Sequence, residues 1–220
     1  MIAMTLPLAL TWFGAIVVAL MDGRRRGAAW LAAGILAASL AATIALGIEV
    51  SRSGSMQAVA GDWPLGVGIR LRADALGIPF AALSLAVLLA ALLFEAHGGA
   101  RTRSFPALVL AMATGLNGLF LTADAFNFYV FFEIAMIAAY VLAGYGERSR
   151  QLRSAVIFSL ANLLGTVLFL FSIVALYHVT GTLDMEQISI RMVVVAPNAA
   201  LTIGALLFAA IGIKLGLFPF

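Results

Sequence analysis

Apolar runs about as long as a helix needs to cross a bilayer, roughly 20 residues, follow one another along almost the whole chain. They fall at residues 2–21, 28–48, 74–94, 105–122, 124–145, 154–177 and from Ala199 onward. In lipid no water is present to bond the backbone, so such runs close their hydrogen bonds internally as helices or around a closed barrel. Long alternating polar and apolar strands are missing from the sequence, which argues against a barrel. The chain is 64% hydrophobic and 10% charged, whereas soluble domains are about half apolar and a quarter charged. The expectation is an all-α, polytopic transmembrane helix bundle of about seven spans.

The charges between the runs set orientation. Loops at 22–27, 95–104 and 146–153 hold Arg24, Arg25, Arg26, Arg101, Arg103, Arg148, Arg150 and Arg153, and the alternate loops hold Arg52, Arg70, Arg72 and Arg191. The richer set is expected on the cytoplasmic side, with the N-terminus outside. No basic segment precedes the first run, so it is read as a retained helix and not as a secretory signal. The net charge of +3 is accounted for by these loops and gives no indication of nucleic acid. With no cysteine in the chain, disulfides, iron–sulfur clusters and thiolate metal sites are excluded. No glycine-rich nucleotide fingerprint and no His pair at haem-binding spacing is present, so no cofactor and no metal is expected. Whether the chain belongs to an enzyme is left open at this point.

One run carries a carboxylate well inside it. In Asp124-Ala-Phe-Asn-Phe-Tyr-Val-Phe-Phe-Glu133 and the apolar residues that follow to Tyr145, Glu133 lies about 12 Å from the helix start, near mid-membrane. A charge there costs at least ~2.5–3.5 kcal/mol on insertion scales, which makes an ion or proton pathway the first hypothesis. The plainer alternative is a protonated glutamic acid that ties neighbouring helices together. Tyr129 and Tyr140, at i−4 and i+7, share a helix face with Glu133 and give it a polar seam.

Lys214 is the one charge of the last run, roughly 20 Å along it. Gly212, Gly216 and Pro219 surround it, the composition of a broken helix whose freed backbone groups line a cavity. A lysine that snorkels to the interface is the alternative. Asn162 and Thr166 stand at i and i+4 on the sixth run, either as helix-to-helix hydrogen bonds or as part of a polar path. His97, alone at a helix end, reads as a solvated loop residue. Burial favours the neutral forms of a glutamic acid and a lysine, and mutual approach favours the charged forms. A Glu133–Lys214 couple would therefore hold the lysine's proton when close and release it when apart.

Smaller signals place the boundaries. Residues 49–73 read as a long loop, with Gly61-Asp-Trp-Pro64 against a continuing helix and Trp63 as an interfacial anchor. Asp74 and Ser104 are expected as N-caps, Pro106 as a first-turn proline, and Pro79 as tolerated or kinking. Met185–Met192 reads as a short interfacial helix.

The segment from Asp124 to Glu133 resembles the fifth helix of the proton-conducting antiporter-like subunits shared by Mrp-type cation/proton antiporters, respiratory complex I and membrane-bound hydrogenases. Gly61-Asp-Trp-Pro64 with Gly68-Ile-Arg-Leu-Arg-Ala-Asp74, Asn162-Leu-Leu-Gly165 leading to Tyr177 and Gly181-Thr-Leu-Asp-Met185, and Gly212-Ile-Lys-Leu-Gly-Leu-Phe-Pro219 are similar to the same superfamily. The Glu133 segment and the Gly181–Met185 loop resemble the D-type component of the Mrp antiporters most. The resemblance implies that Glu133 is the essential glutamate and Lys214 the lysine of the broken seventh helix. It also implies a proton-translocating subunit of a multi-subunit sodium/proton antiporter in a bacterial plasma membrane. A proton-pumping subunit of a complex I-like or hydrogenase enzyme is the alternative. Its expected partners are other membrane subunits, lipid, protons and monovalent cations. Members have about fourteen helices in two inverted repeats, so residues 1–103 are expected to hold helices 1–3 and residues 104–220 the start of the first repeat. The remainder is expected on a longer chain or, as the alternative, on a second one.

Overall fold

A computed structural model of the chain describes residues 2–59, 68–98, 102–145 and 149–217. Trp63 and the rest of Gly61–Pro64, Arg101, Arg148 and Pro219 lie outside the described residues. The helices are α1 (Ile2–Ala19), α2 (Arg26–Ser53), α3 (Gly77–Gly98), α4 (Phe105–Leu121), α5 (Ala125–Ala143), α6 (Ser149–Thr180), α7 (Met185–Arg191) and α8 (Pro197–Leu215). Five of them, α2, α3, α5, α6 and α8, are long and apolar enough to cross a membrane, and α1 and α4 are shorter apolar helices. Large apolar side chains such as Phe13, Leu20, Phe94 and Phe208 point outward, at 69%, 81%, 83% and 66% exposure. A bundle surrounded by lipid has this outward-facing apolar surface, and the chain is a multi-pass membrane protein.

Helix α2 packs on α1 and α3, α4 packs on all three, and the path then continues as α4 on α5, α5 on α6, and α6 on α8. Small residues set the closest approaches, as expected where lipid supplies no hydrophobic drive and helices associate by direct packing. At Gly115 a Cβ would come within 2.5 Å of the Ala135 backbone nitrogen, so α4 and α5 touch backbone to backbone. Where α1, α2 and α4 cross, the Pro7 carbonyl accepts from Ser39 Oγ at 2.9 Å, Thr11 Oγ1 at 3.2 Å and Asn117 Nδ2 at 3.3 Å. Asn117 Nδ2 also donates to Ser39 Oγ at 3.2 Å. Asn117 is fully buried and acts as polar glue.

The long loop expected at 49–73 is more ordered than its composition suggests. Helix α2 runs on to Ser53, and Gly54 turns the chain with φ 82°. Met56–Val59 and Arg70–Ala73 then pair as antiparallel strands β1 and β2, Met56 opposite Ala73 and Val59 opposite Arg70. The strand period of two puts Met56 and Ala58 on one face about Gln57, and Leu71 and Ala73 on one face about Arg72. All four pack on the apolar cluster that includes Met4, Leu46, Val50 and Leu121.

The helix starts are mostly as expected. Asp74 Oδ1 accepts from the Leu76 and Gly77 amides at 3.0 and 2.8 Å, and Pro106 occupies the first turn of α4. Ser104 holds the N-cap position of α4, its carbonyl taking the Leu108 amide at 3.0 Å. Its backbone is already helical (φ −96°, ψ −12°), however, and its side chain makes no capping bond. The short helix expected at Met185–Met192 is α7, followed by a 3-10 turn at Met192–Val194.

The loops at the α5 N-terminus converge on Arg70, which is buried. Its Nη2 donates to Asp184 Oδ1 at 2.9 Å, and its Nη1 donates to Glu186 Oε2 at 2.8 Å and to Gln57 Oε1 at 3.0 Å. Nε lies 2.6 Å from Asp184 Oδ2, an ionic contact without hydrogen-bond alignment. Backbone bonds add to this: the Ala123 amide to Arg70 O, Ala125 to Leu183 O and Met185 to Ala123 O. The strand ribbon, the α4–α5 turn and the α6–α7 loop thus form one junction that fixes where α5 begins.

Asp124 caps α5 within this junction, accepting from the Asn127 amide at 2.7 Å. Burial pushes its carboxyl above the ordinary value of 3.8, the amides of Asn127 and Phe126 pull it down, and nearby Asp184 pushes it up again. The fold therefore favours the protonated acid. The sign follows: its contribution is fully present below 3.8 and is lost as pH rises through the raised folded value. Asp124→Asn keeps a capping oxygen without the ionisation. Its thermal stability is expected to match or exceed wild type at pH 7 and to vary less between about pH 4 and 7. Asp124→Ala is expected to lose ~1 kcal/mol of cap. Thermal melts of the two variants across that pH range check this, and an Asn variant less stable than the Ala variant would contradict it.

Candidate functional site

Helix α6 lies against both α5 and α8, and the charged side chains of α5 and α8 meet on it. Lys214 Nζ donates to Glu133 Oε1 at 2.6 Å and to Thr166 Oγ1 at 2.9 Å. Thr166 Oγ1 donates to the same Glu133 oxygen at 2.9 Å. The three groups close a triangle with one residue from each helix. Beneath the ammonium lies the Phe132 ring, its centroid 4.8 Å away, so a cation–π contact takes the face that offers no acceptor.

Local sequence explains how the triangle forms. Gly165 lets α8 approach: a Cβ there would sit 3.1 Å from Lys214 Cγ and 3.2 Å from the Ala210 carbonyl. Just past Lys214, Gly216 adopts a left-handed backbone (φ 63°) and ends α8. The Leu217 amide returns to Gly212 O at 2.9 Å and the Gly216 amide to Ile213 O at 3.1 Å, a Schellman closure. The ammonium is thereby held in the last turn, where the helix dipole favours a cation. The Lys214 side chain is 2% exposed and that of Glu133 19%. The snorkelling alternative for Lys214 is thus set aside in favour of a buried pair, while the carboxylate keeps one accessible edge.

The other sequence candidates divide. Thr166 is one corner of the triangle, bonded to both charged groups, a larger role than its spacing with Asn162 implied. Asn162, one turn away, is buried; its Nδ2 donates to Phe158 O at 3.1 Å, and its Oδ1 has no partner among the described residues. Tyr140 packs its ring edge-on to Phe158 at 5.1 Å, and its buried hydroxyl is also without a partner among the described residues. It lines a cavity of about 320 Å³ with Thr102, Ser104, Tyr145 and Ser159. Tyr129 stands one turn the other way, edge-on to Phe169 at 5.7 Å, with its contacts in an aromatic cluster. His97 is exposed and bonded to its own helix at Leu93 O. Sequence reasoning did not pick out Phe132, Gly165 or the Arg70 junction. The Asp184-x-Glu186 spacing opposite a loop arginine was the available signal for the last.

The fold and site define a multi-pass membrane helix bundle that holds a threonine-bridged lysine–glutamate pair within its apolar spans. Residues 122–220 match the model of the family described as NADH:quinone oxidoreductase/Mrp antiporter, transmembrane. Among its relatives is the proposed antiporter subunit mnhD2 of Staphylococcus aureus strain JH9, 30% identical over 206 residues that make up 92% of this chain and 41% of that one. A chain in the structure of the Mrp complex from Dietzia sp. DQ12-45-1b superposes with a TM-score of 0.82 at 27% identity, covering 98% of this chain and 42% of that one. The membrane-bound sulfane sulfur reductase, an archaeal respiratory membrane complex, contains a chain with the same fold. There the TM-score is 0.81 at 23% identity, covering 99% of this chain and 45% of that one. The chain thus spans less than half the length of the relatives it matches.

Proposed function

We propose that this chain forms the first ion-handling part of a membrane subunit that moves protons in exchange for a monovalent cation within a multi-subunit antiporter. The observation that carries the reading is the part-buried Glu133–Thr166–Lys214 triangle, with its lysine fully enclosed. With both groups charged, the carboxylate and threonine hold the ammonium. A proton arriving at Glu133 removes the charge that holds it, and the flexible lysine stem then carries a proton it can release to water elsewhere. Thr166 bonds whichever partner remains, because a hydroxyl both donates and accepts.

The unpartnered Tyr140 hydroxyl and Asn162 oxygen, with the cavity beside Tyr140, supply polar stops for water leading to Glu133 from the α5 C-terminal side. In our reading that side is cytoplasmic and the N-terminus is outside, since Arg24 to Arg26 and Arg103 lie at that end of the bundle. The Arg70 junction strengthens this assignment: the guanidinium of Arg70 is neutralised by Asp184 and Glu186, so it adds no free positive charge to the opposite side. Residues 1–103 serve as a packing scaffold and residues 104–220 as the start of the ion-handling repeat. Other membrane subunits complete the path.

The test uses inverted vesicles carrying the full-length subunit and its partners, wild type beside Glu133→Gln. An imposed proton gradient is expected to collapse on addition of sodium or potassium in the wild type, without a reductant, and at least 100-fold more slowly in the variant. Cation-insensitive vesicles that acidify only with NADH, in a Glu133-dependent way, would replace this reading with a redox-driven pump.

A further inference from the structure

We propose that the groove between α1 and α4 is a binding site for one anionic phospholipid of the arginine-rich leaflet. The site involves neither Glu133 nor Lys214 and stands apart from the ion-path reading.

The groove has a volume of about 720 Å³. Small side chains, Ala15 and Ala19 on α1 and Ala107 and Ala111 on α4, hollow it out, and Ile134 of α5 contributes to its lining. Trp12, 46% exposed, stands at its deep end. Arg103 and Ser104 stand at the other. From Ser104 to Thr114, helix α4 rises about 15 Å, half of a ~30 Å hydrocarbon core. The groove therefore spans one leaflet, from its headgroup level to the bilayer middle.

A hollow of this size in lipid is filled, because atoms facing a void lose their dispersion contacts. A one-leaflet length of helix about 10–12 Å across displaces more than about 1,100 Å³, too much for the groove, whereas a thin flexible acyl chain fits. The headgroup sign follows from the mouth. Arg103 is exposed and has no carboxylate partner among the described residues. The Gly23 amide bonds Arg103 O at 3.1 Å, which fixes the exposed Arg24, Arg25 and Arg26 beside it. Arginine's planar fork suits a phosphate oxygen pair, and clustered basic residues at a membrane surface favour anionic lipid.

Trp12 provides the readout. Its contribution to fluorescence is the difference between wild type and Trp12→Phe, measured on the full-length subunit in its complex. Brominated phosphatidylglycerol, titrated into phosphatidylcholine membranes, is expected to quench that difference at mole fractions where brominated phosphatidylcholine does not. Arg103→Gln, a surface change, is expected to raise the half-quenching fraction about fivefold, the equivalent of ~1 kcal/mol for one arginine near an anionic surface. Equal quenching by both lipids would reduce the groove to ordinary bilayer contact. No quenching by either would mean that a partner's helix covers it, and an unshifted Arg103→Gln would remove the headgroup assignment. Each of these outcomes overturns the proposal.

Discussion

On the proposed exchange through the Glu133–Thr166–Lys214 triangle, Lys214→Ala is expected to abolish cation/proton exchange and to destabilise the protein, whereas Lys214→Arg is expected to abolish exchange alone. In the alanine variant Glu133 keeps only the Thr166 hydroxyl. Breaking one side of a buried pair commonly costs ~3–5 kcal/mol, less if the carboxylic acid takes a proton to avoid an unpaired buried charge. Arginine retains a cation able to bond both Glu133 and Thr166, but it does not give up its proton in proteins. A purely structural pair would leave the arginine variant active. A proton-carrying lysine makes it as inactive as the alanine variant, at least 100-fold below wild type, yet close to wild type in thermal stability. Flux in vesicles and melting of the purified complex separate these cases, and an arginine variant with more than half of wild-type flux would end the proton-carrier role.

Arg70→Met is expected to be the most destabilising single change away from the triangle. Arg70 is buried and holds Asp184 and Glu186 through bonds of 2.9 and 2.8 Å. Asp184, itself buried, would be left with a carboxylate facing the half-buried Asp124. The expected loss is ~3–5 kcal/mol, seen as a lower melting temperature and poor recovery of the folded subunit. Asp184→Asn in the Arg70→Met background should restore part of it by removing the orphaned charge, a coupling that a double-mutant cycle measures. Additive effects of the two changes would show that the pair does not act as a unit. Because this junction sets the start of α5, surviving Arg70→Met protein is also expected to show slower exchange.

Much of the architecture is legible from residue order because the bilayer is a demanding solvent. It requires helices of known length and leaves charges only where something holds them. Glu133 and Lys214 were visible on that ground alone, and the cap at Asp74 on local residue preference. The ribbon of Met56–Val59 with Arg70–Ala73 was not, because two four-residue strands carry too little periodicity beside the glycine and proline between them. Ser104 marks the start of α4 as its residue type suggested, but its helical backbone leaves its side chain without a capping bond.

Residue order determined that this chain spans a membrane, that it places a carboxylate and an amine inside it, and which family it resembles. Only the tertiary structure decided that the two meet. Helical rise puts Glu133 about 12 Å into α5 and Lys214 about 26 Å into α8, and no local rule aligns those two depths. The alignment comes from α6, whose Gly165 admits α8 and whose Thr166 joins the charges, and from the Arg70 junction that fixes the start of α5. Rise, length and charge are properties of a segment and are written in it. The offset between two helices is a property of how their side chains interlock, and it exists only once they are packed.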